Sequence, residues 1–335
     1  MVRILYLVPE FTHTPHEGHL VRYGQVREAL RALGHSVLVH APAARATSAG
    51  HRSARVSRWH RPIQLTEAAA WTDVRHAITH FEPDIVLATH PHFTDVTALG
   101  RRLGIPVVVE TYNYEPGISM MKSLGRSPAA HVSVVLAEAL YLRRAARVWT
   151  LSSEDKRSYA RTYPFCSIGV VPHVIPLPTA DAQTVSTASD ILFVGSYGYR
   201  PNALAARFLL EQVMPILRSH RRGRAHLTFV GPEPPAWMRV FRADDVEITG
   251  AVADLSPYYR RANVVACPVN EGGGVKTKVL EAMAYGRPVV LTKPSCRGIA
   301  IVNGRDAVRA DSNASAFAHA LLQLLEYPDV AERIG

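Results

Sequence analysis

Residues 270–290 read NEGGGVKTKVLEAMAYGRPVV, and this stretch decides the fold of the chain. Its pattern predicts the end of a strand, a glycine loop, a helix, a turn and a second strand. The successive glycines Gly272, Gly273 and Gly274 let backbone N–H groups approach an anion closely, and the N-terminus of the following helix adds its dipole. The stretch therefore predicts an anion-binding helix start whose geometry suits a diphosphate.

Three charged side chains follow this glycine loop. Lysine occupies only five positions in the chain, and two of them, Lys276 and Lys278, lie at the start of the predicted helix, where they can neutralise an anion. Glu281 follows Lys278 by about one helical turn, where a carboxylate can accept two hydrogen bonds from vicinal hydroxyls such as those of a ribose. The pattern equally allows a plainer interpretation, in which the glycines only form a turn and Lys278 and Glu281 make an exposed ion pair.

The rest of the chain alternates short apolar runs with helical patterns. In the first half, we predict strands at 3–8, 36–40, 84–88, 105–109 and 147–151, and helices at 20–33 and 129–145. In the second half, we predict strands at 191–195, 225–230, 246–249 and 263–267, and helices at 202–220 and 314–325. Strands that alternate with helices indicate parallel, doubly wound sheets, so the fold class is α/β.

A change of composition divides these two series. Prolines followed by small polar residues mark an exposed connection at 173–189. We therefore predict an N-terminal domain over 1–172, a linker over 173–189 and a C-terminal domain over 190–335. A length of 335 residues suits two such domains.

Composition and charge exclude several classes of protein. With 47% hydrophobic residues the chain can bury a sizeable core, and its net charge of +10 indicates an anionic ligand without identifying it. The three cysteines are far apart and have no metal-ligand spacing, so neither a disulfide framework nor a zinc site is expected. No apolar run reaches the length of a spanning helix or forms a signal-peptide core, which predicts a soluble, cytoplasmic protein.

The motif at 272–284, GGGVKTKVLEAMA, followed by Gly286 and by PVV at 288–290, resembles the donor-site signature of the family-4 retaining glycosyltransferases with the GT-B fold. The resemblance covers nearly the whole chain, through FVGS (193–196), RPN (200–202), FVG (229–231), VEITG (246–250) and GHSV (34–37). It implies two Rossmann-like, doubly wound domains facing a central cleft. The C-terminal domain would bind a nucleotide-sugar and the N-terminal domain would receive the acceptor.

The resemblance also implies an activity. The expected reaction moves a hexose, with retention, from a UDP- or GDP-type nucleotide-sugar to a small-molecule or lipid-linked acceptor. The nucleotide-sugar is a co-substrate, so no cofactor is expected, and no metal is implied because no Asp-x-Asp lies beside the glycine loop. One alternative is a non-catalytic GT-B protein that binds a nucleotide-sugar or a partner. Two further alternatives have less support. A nicotinamide-dependent oxidoreductase would need a glycine fingerprint that this sequence lacks, and a nucleic-acid-binding protein is indicated only by the net charge.

The family pattern assigns the donor site residue by residue, with one departure. Glu281 would bind the donor ribose, while Lys276, Lys278 and the loop amides would contact the diphosphate, with Arg200 as a second choice. The family has two glutamates separated by seven residues, but Gly273 stands at the first of these positions, and Glu271 is the nearest carboxylate that could reach the sugar. The donor-binding candidates are Gly18, Gly195, Arg200, Glu271, Gly272, Gly273, Gly274, Lys276, Lys278 and Glu281.

The sequence gives fewer signals for the residues that would bind the acceptor or take part in catalysis. Relatives place a histidine near the reacting carbon, whereas this chain has tyrosine or asparagine in the matching stretch. The catalytic candidates are His90, His92, Asn113 and Glu115, although each is also typical of an ordinary loop side chain. The arginine-rich segment at 51–61 could meet an acidic acceptor or a membrane surface, or simply be a solvated loop. Relatives commonly continue into a helix that crosses back to the N-domain, and we expect it to be short or absent here.

Overall fold

The computed structural model describes residues 1–8, 18–42, 68–89, 96–114, 116–117, 128–178, 189–220 and 225–335. These residues form two compact units. Of the described residues, the first unit takes in 1–8 and those within His19–Pro172, and the second takes in Gly18 and those within His173–Gly335. Each unit is built on one six-stranded parallel sheet with helices packed against it.

The sheet of the first unit has the strand order β2-β1-β3-β4-β5-β6. Its strands are β1 (Arg3–Leu7), β2 (Ser36–His40), β3 (Ile85–Thr89), β4 (Val107–Glu110), β5 (Arg147–Thr150) and β6 (Ile168–Val170). The described helices of this unit are α1 (Gly18–Ala32), α2 (Ala68–Phe81), α3 (Val96–Leu103), α4 (Pro128–Leu142) and α5 (Ser153–Thr162).

The alternating side chains of β1 separate two cores in this unit. Leu5 and Leu7 join a cluster with residues of α2, α3, α4 and α5 on one face of the sheet. Ile4 and Tyr6 belong to a smaller cluster with Tyr23 of α1 on the other face. Both faces of the sheet are therefore covered, as a parallel sheet requires.

A buried ion pair ties three elements of the first unit together. The guanidinium of Arg22, in α1, donates from Nε to Glu110 Oε1 at 2.9 Å, and both side chains are almost fully buried. Arg22 also donates to the carbonyls of Val171, at 2.8 Å, and of Pro172. The hydroxyls of Tyr6 and Tyr112 donate to the other carboxylate oxygen of Glu110. Burial, followed by the charge of Glu110, raises the pKa of both tyrosines well above 10.0, which keeps these donors protonated.

The sheet of the second unit has the strand order β12-β11-β10-β7-β8-β9. Its strands are β7 (Ser189–Val194), β8 (Ala225–Val230), β9 (Val246–Gly250), β10 (Val264–Cys267), β11 (Val289–Thr292) and β12 (Val308–Ala310). Its α-helices are α6 (Arg200–Phe208), α7 (Met214–Ser219), α8 (Ala236–Arg239), α9 (Ser256–Arg261), α10 (Thr277–Ala284), α11 (Ala314–Glu326) and α12 (Pro328–Ile334).

The helix predicted at 202–220 is interrupted. A π-helical turn, Leu209–Val213, separates α6 from α7, and the N–H of Met214 bonds to the carbonyl of Leu209, five residues back. Pro215 follows at once and has no N–H to continue the α-helical ladder, which accounts for the widened turn. Both halves still pack their apolar faces into the core of the second unit.

Among the described helices, none combines the length and the apolar character needed to cross a bilayer. The described residues also hold no group of three or more His, Cys, Asp or Glu side chains that could bind a metal ion.

Candidate nucleotide-binding site

Two glycines leave the carboxyl ends of β7 and β8 bare. Gly231 has a φ of +145°, and a Cβ there would lie 2.0 Å from the carbonyl oxygen of Gly195. A Cβ on Gly195 would lie 2.7 Å from the side-chain nitrogen of Asn202 and 2.9 Å from the amine of Lys278. Only glycine fits this close approach. Ligands of open parallel sheets bind at the carboxyl ends of the strands, and this edge is therefore the candidate site.

The glycine loop lies between β10 and α10 and packs against the start of α6. Gly272 and Gly274 have φ values of +89° and +71°, which favour glycine. A Cβ on Gly272 would lie 2.3 Å from the hydroxyl of Tyr199. On the outer side, the exposed guanidinium of Arg200 pairs with the carboxylate of Glu271. The structure thus joins two sequence segments that the motif analysis treats separately, 199–202 and 271–278.

Lys276 braces the loop from inside. Its side chain is only 9% exposed, and its amine donates to the carbonyls of Gly273 at 2.9 Å and Gly274 at 3.1 Å. Because the amine is engaged with its own loop, Lys276 fits a structural role better than direct contact with a diphosphate.

Lys278 points to the sheet edge. Its amine donates to Asn202 Oδ1 at 2.9 Å and lies 4.2 Å above the ring centre of Phe193. Burial lowers the pKa of this amine from 10.5 to about 8. The exposed ion pair with Glu281 that the sequence also allowed is not formed, since Lys278 is 7% exposed and its amine bonds to Asn202.

Glu281 is held by a tyrosine from another helix. The hydroxyl of Tyr259, in α9, donates to Glu281 Oε2 at 2.6 Å. Tyr259 is buried and stacks on Tyr285 with ring centres 5.1 Å apart. Desolvation, followed by the charge of Glu281, raises the pKa of Tyr259 well above 10.0, so the phenol remains a hydrogen-bond donor. The carboxylate of Glu281 is thus fixed in orientation one helical turn from Lys278.

The remaining predicted residues lie in the N-terminal half of the chain. Gly18 begins α1, and Asn113 lies three residues after β4, where its carbonyl accepts a 3.0 Å bond from Tyr159. His90, His92 and Glu115 lie outside the described residues, as does the arginine-rich segment at 51–61. The catalytic assignments therefore stay predictions.

Two residues of the site were missing from the sequence-based candidates. Asn202 stands in the RPN stretch and could have been suspected from its polar amide at a helix start. Tyr259 is 22 residues from Glu281 and gives no local signal of the contact.

Comparison with known proteins identifies the family. Residues 17–172 match the model of the glycosyl transferase 4-like domain, and residues 188–327 match that of glycosyl transferases group 1. The chain belongs to the GT-B glycosyltransferases. Its two parallel six-stranded sheets confirm the α/β fold class, and the two matches confirm the resemblance read from the 272–284 motif. No curated protein sequence matches this glycosyltransferase significantly.

Several solved structures share the fold of this glycosyltransferase at low sequence identity. Sucrose-phosphate synthase from Thermosynechococcus elongatus is 17% identical with a TM-score of 0.72, covering 100% of this chain and 92% of that one. A glycosyltransferase from Rickettsia africae is 14% identical with a TM-score of 0.69, covering 99% and 91%. The Anabaena protein HepE, solved in complex with UDP-glucose, is 13% identical with a TM-score of 0.66, covering 100% and 92%.

Proposed function

We propose that this glycosyltransferase moves a hexose from a UDP- or GDP-type nucleotide-sugar to a small-molecule or lipid-linked acceptor, with retention at the anomeric carbon. The observation that carries the proposal is the buried amine of Lys278, which lies against Gly195 at the bare end of β7, on the same helix as Glu281. One helix thus presents a cation for a diphosphate and a carboxylate for a ribose. The solved complex of HepE with UDP-glucose supports a nucleotide-sugar donor.

In this proposal the second unit holds the donor and the first receives the acceptor. The diphosphate lies over Gly195 and the N-terminus of α10, where the helix dipole and the Lys278 amine both favour negative charge. Glu281 accepts hydrogen bonds from the ribose hydroxyls. Glu271 remains the candidate for the sugar hydroxyls, and its exposed pairing with Arg200 sets its position at the outer side of the loop.

The proposed reaction needs no nucleophile and no general base from a protein side chain. The acceptor hydroxyl attacks the anomeric carbon on the face from which the diphosphate leaves, and a departing phosphate oxygen takes its proton. Lys278 and the loop N–H groups stabilise the negative charge that develops on the leaving group. Proton NMR of the product tests this mechanism, because an α-linked donor must give an α-linked product. A β-linked product would overturn retention.

A non-catalytic, nucleotide-sugar-binding role is the second candidate, favoured by the absence of the family's first glutamate at Gly273. Turnover of the donor in the presence of acceptor separates the two functions. Binding of a nucleotide-sugar without product, across a panel of acceptors, would favour the second.

Replacing Glu281 by glutamine should weaken nucleoside diphosphate binding by about ten- to hundredfold. The amide keeps the shape of the side chain, but a hydrogen bond to a charged acceptor, about 1.5 to 3 kcal/mol, is lost. Calorimetric titration with UDP and GDP measures the change, and a melting curve checks that the variant is folded. Unchanged affinity in the folded variant would show that Glu281 does not bind the ribose.

Replacing Tyr259 by phenylalanine should raise the Kd of the same nucleotide by about three- to tenfold, because Glu281 loses the donor that orients it. The matched control is Tyr285→Phe. The Tyr285 hydroxyl bonds to Ser256 Oγ at 2.6 Å, and its ring stacks on that of Tyr259. We expect the control to bind like wild type. Equal losses in both variants would mean that the stacked pair acts through packing rather than through Glu281.

Nucleotide affinity should fall as pH rises above about 8. In the free protein Lys278 has a pKa of about 8, below its ordinary value of 10.5. A bound diphosphate favours the charged amine and therefore raises its pKa. Between the pKa of the free protein and that of the complex, binding takes up a proton, and the affinity falls by up to about tenfold per pH unit. Titration at pH about 8.5 in two buffers of different ionisation enthalpy measures the uptake. Lys278→Met should abolish it, and an equal uptake in that variant would place the titrating group elsewhere.

A further inference from the structure

Helix α4 presents a line of apolar side chains to solvent. Val132, Leu136 and Leu140 are 52%, 60% and 56% exposed, and their four-residue spacing aligns them along one face of the helix. On the opposite side, Tyr141 and Leu142 of the same helix are buried in the core of the first unit. Helix α4 is therefore apolar on both faces, and we call the exposed line the α4 ridge.

Four arginines lie beside one end of the α4 ridge. Arg101 and Arg102 are in the last turn of α3, and Arg143 and Arg144 directly follow α4. The two helices contact each other, and each runs back along the same face of the sheet, so their C-terminal ends lie at the same sheet edge. All four guanidinium groups are exposed, and none pairs with a carboxylate among the described residues. We call this set the arginine rim.

Neither α3 nor α4 exposes a carboxylate. Glu138 is the one acidic residue in the sequences of α3 and α4. It is 2% exposed and accepts hydrogen bonds from the hydroxyls of Tyr159 at 3.0 Å and Tyr163 at 2.6 Å. The ridge and the rim thus present apolar and cationic groups together, and the one carboxylate of these two helices is buried.

We propose that the α4 ridge and the arginine rim dock this protein on an anionic lipid surface. The three apolar side chains would enter the acyl boundary, while the arginines would lie at the level of the headgroups and contact lipid phosphates. A helix face is convex and enters a bilayer without needing a complementary groove. A second copy of the chain fits less well, because it would bring the same arginines and no carboxylate to meet them. The inference does not depend on the proposed reaction.

Sedimentation with lipid vesicles tests the proposal. The full chain should bind vesicles of equal parts phosphatidylcholine and phosphatidylglycerol, should bind pure phosphatidylcholine much more weakly, and should be released as salt rises. Failure to bind the anionic vesicles at low salt would overturn the proposal.

Two variants and two matched controls locate the surface. Arg143→Gln/Arg144→Gln should bind about 25-fold more weakly, since each basic side chain near an anionic surface contributes about fivefold. Leu136→Gln should lose about tenfold. The controls Arg27→Gln/Arg31→Gln and Leu33→Gln change the same side-chain types in or just after α1, which packs on the other face of the sheet, and should bind like wild type.

Two outcomes would overturn the assignment of the surface. One is wild-type binding by both the arginine and the leucine variants, with melting curves showing that all variants are folded. The other is a wild-type dimer in analytical ultracentrifugation that Leu136→Gln converts to a monomer, which would make the α4 ridge an interface between copies of this chain.

Discussion

Replacing Glu110 by alanine should lower the free energy of unfolding of the first unit by about 3 to 5 kcal/mol, because the buried guanidinium of Arg22 would lose its counter-charge. The effect is large for two structural reasons. Arg22 is 1% exposed and Glu110 is 0% exposed, so water cannot replace the lost carboxylate. The hydroxyls of Tyr6 and Tyr112 would lose their acceptor in the same step.

Hydrogen exchange of peptides that cover β4 measures this loss within the first unit. Glu28→Ala is the matched control, because Glu28 lies in the same helix as Arg22 and pairs with Arg27 on the surface, with 63% of its side chain exposed. That variant should change stability by less than about 1 kcal/mol. The double variant Arg22→Met/Glu110→Leu, which removes both charges, should be less destabilised than Glu110→Ala. Equal stability of Glu110→Ala and the control would show that the buried pair contributes little.

Replacing Lys278 by methionine should weaken nucleoside diphosphate binding by about 2 to 5 kcal/mol, which is at least thirtyfold and up to several thousandfold. Methionine keeps most of the buried volume against Phe193 and removes the charge, so the protein should remain folded. Removal of a buried cation should itself be tolerated, since burial already disfavours the charged amine.

Arg200→Ala is the variant to compare with Lys278→Met. Arg200 is 71% exposed and paired with Glu271 at the surface, so its removal should change nucleotide affinity by less than about fivefold. Calorimetric titration with UDP and GDP measures the nucleotide affinity of both variants and shows which of them loses more. Wild-type affinity of Lys278→Met together with a large loss in Arg200→Ala would move the phosphate contact from α10 to the start of α6.

Strands with continuous apolar runs were predictable from the sequence because burial on both faces of a parallel sheet leaves a strong pattern. The predicted strand 225–230 coincides with β8, in which five of the six residues are buried. The predicted strand 36–40 also coincides with β2, although β2 lies at the edge of its sheet and buries only Val37. The helices α2, α3 and α5 were not predicted. Two of them are short or strongly polar: α3 has eight residues, and in α5 only Asp155 and Tyr159 are buried. The π turn in 202–220 follows from Pro215, a local signal that an overall apolar pattern conceals.

The motif was enough to propose a candidate site, but not to predict the contacts that its individual side chains make. The motif placed both lysines at one helix start, yet the direction of each amine depends on contacts from elsewhere. Lys276 turns back to the carbonyls of its own loop, while Lys278 meets Asn202 and the ring of Phe193, both more than 70 residues away in sequence. The periodicity of apolar residues predicts one helix or strand at a time, so it cannot predict the contacts between α10, α6 and β7.

The bracing of the glycine loop by Lys276 has a kinetic consequence. Two hydrogen bonds from one amine hold the carbonyls of Gly273 and Gly274, so the loop takes its shape when the protein folds and not when a ligand arrives. An anion meeting a loop that is already ordered needs no slow rearrangement before it can dock. Association should then follow a single phase whose rate rises linearly with ligand concentration, and differences in affinity among ligands should be expressed in how long each stays bound.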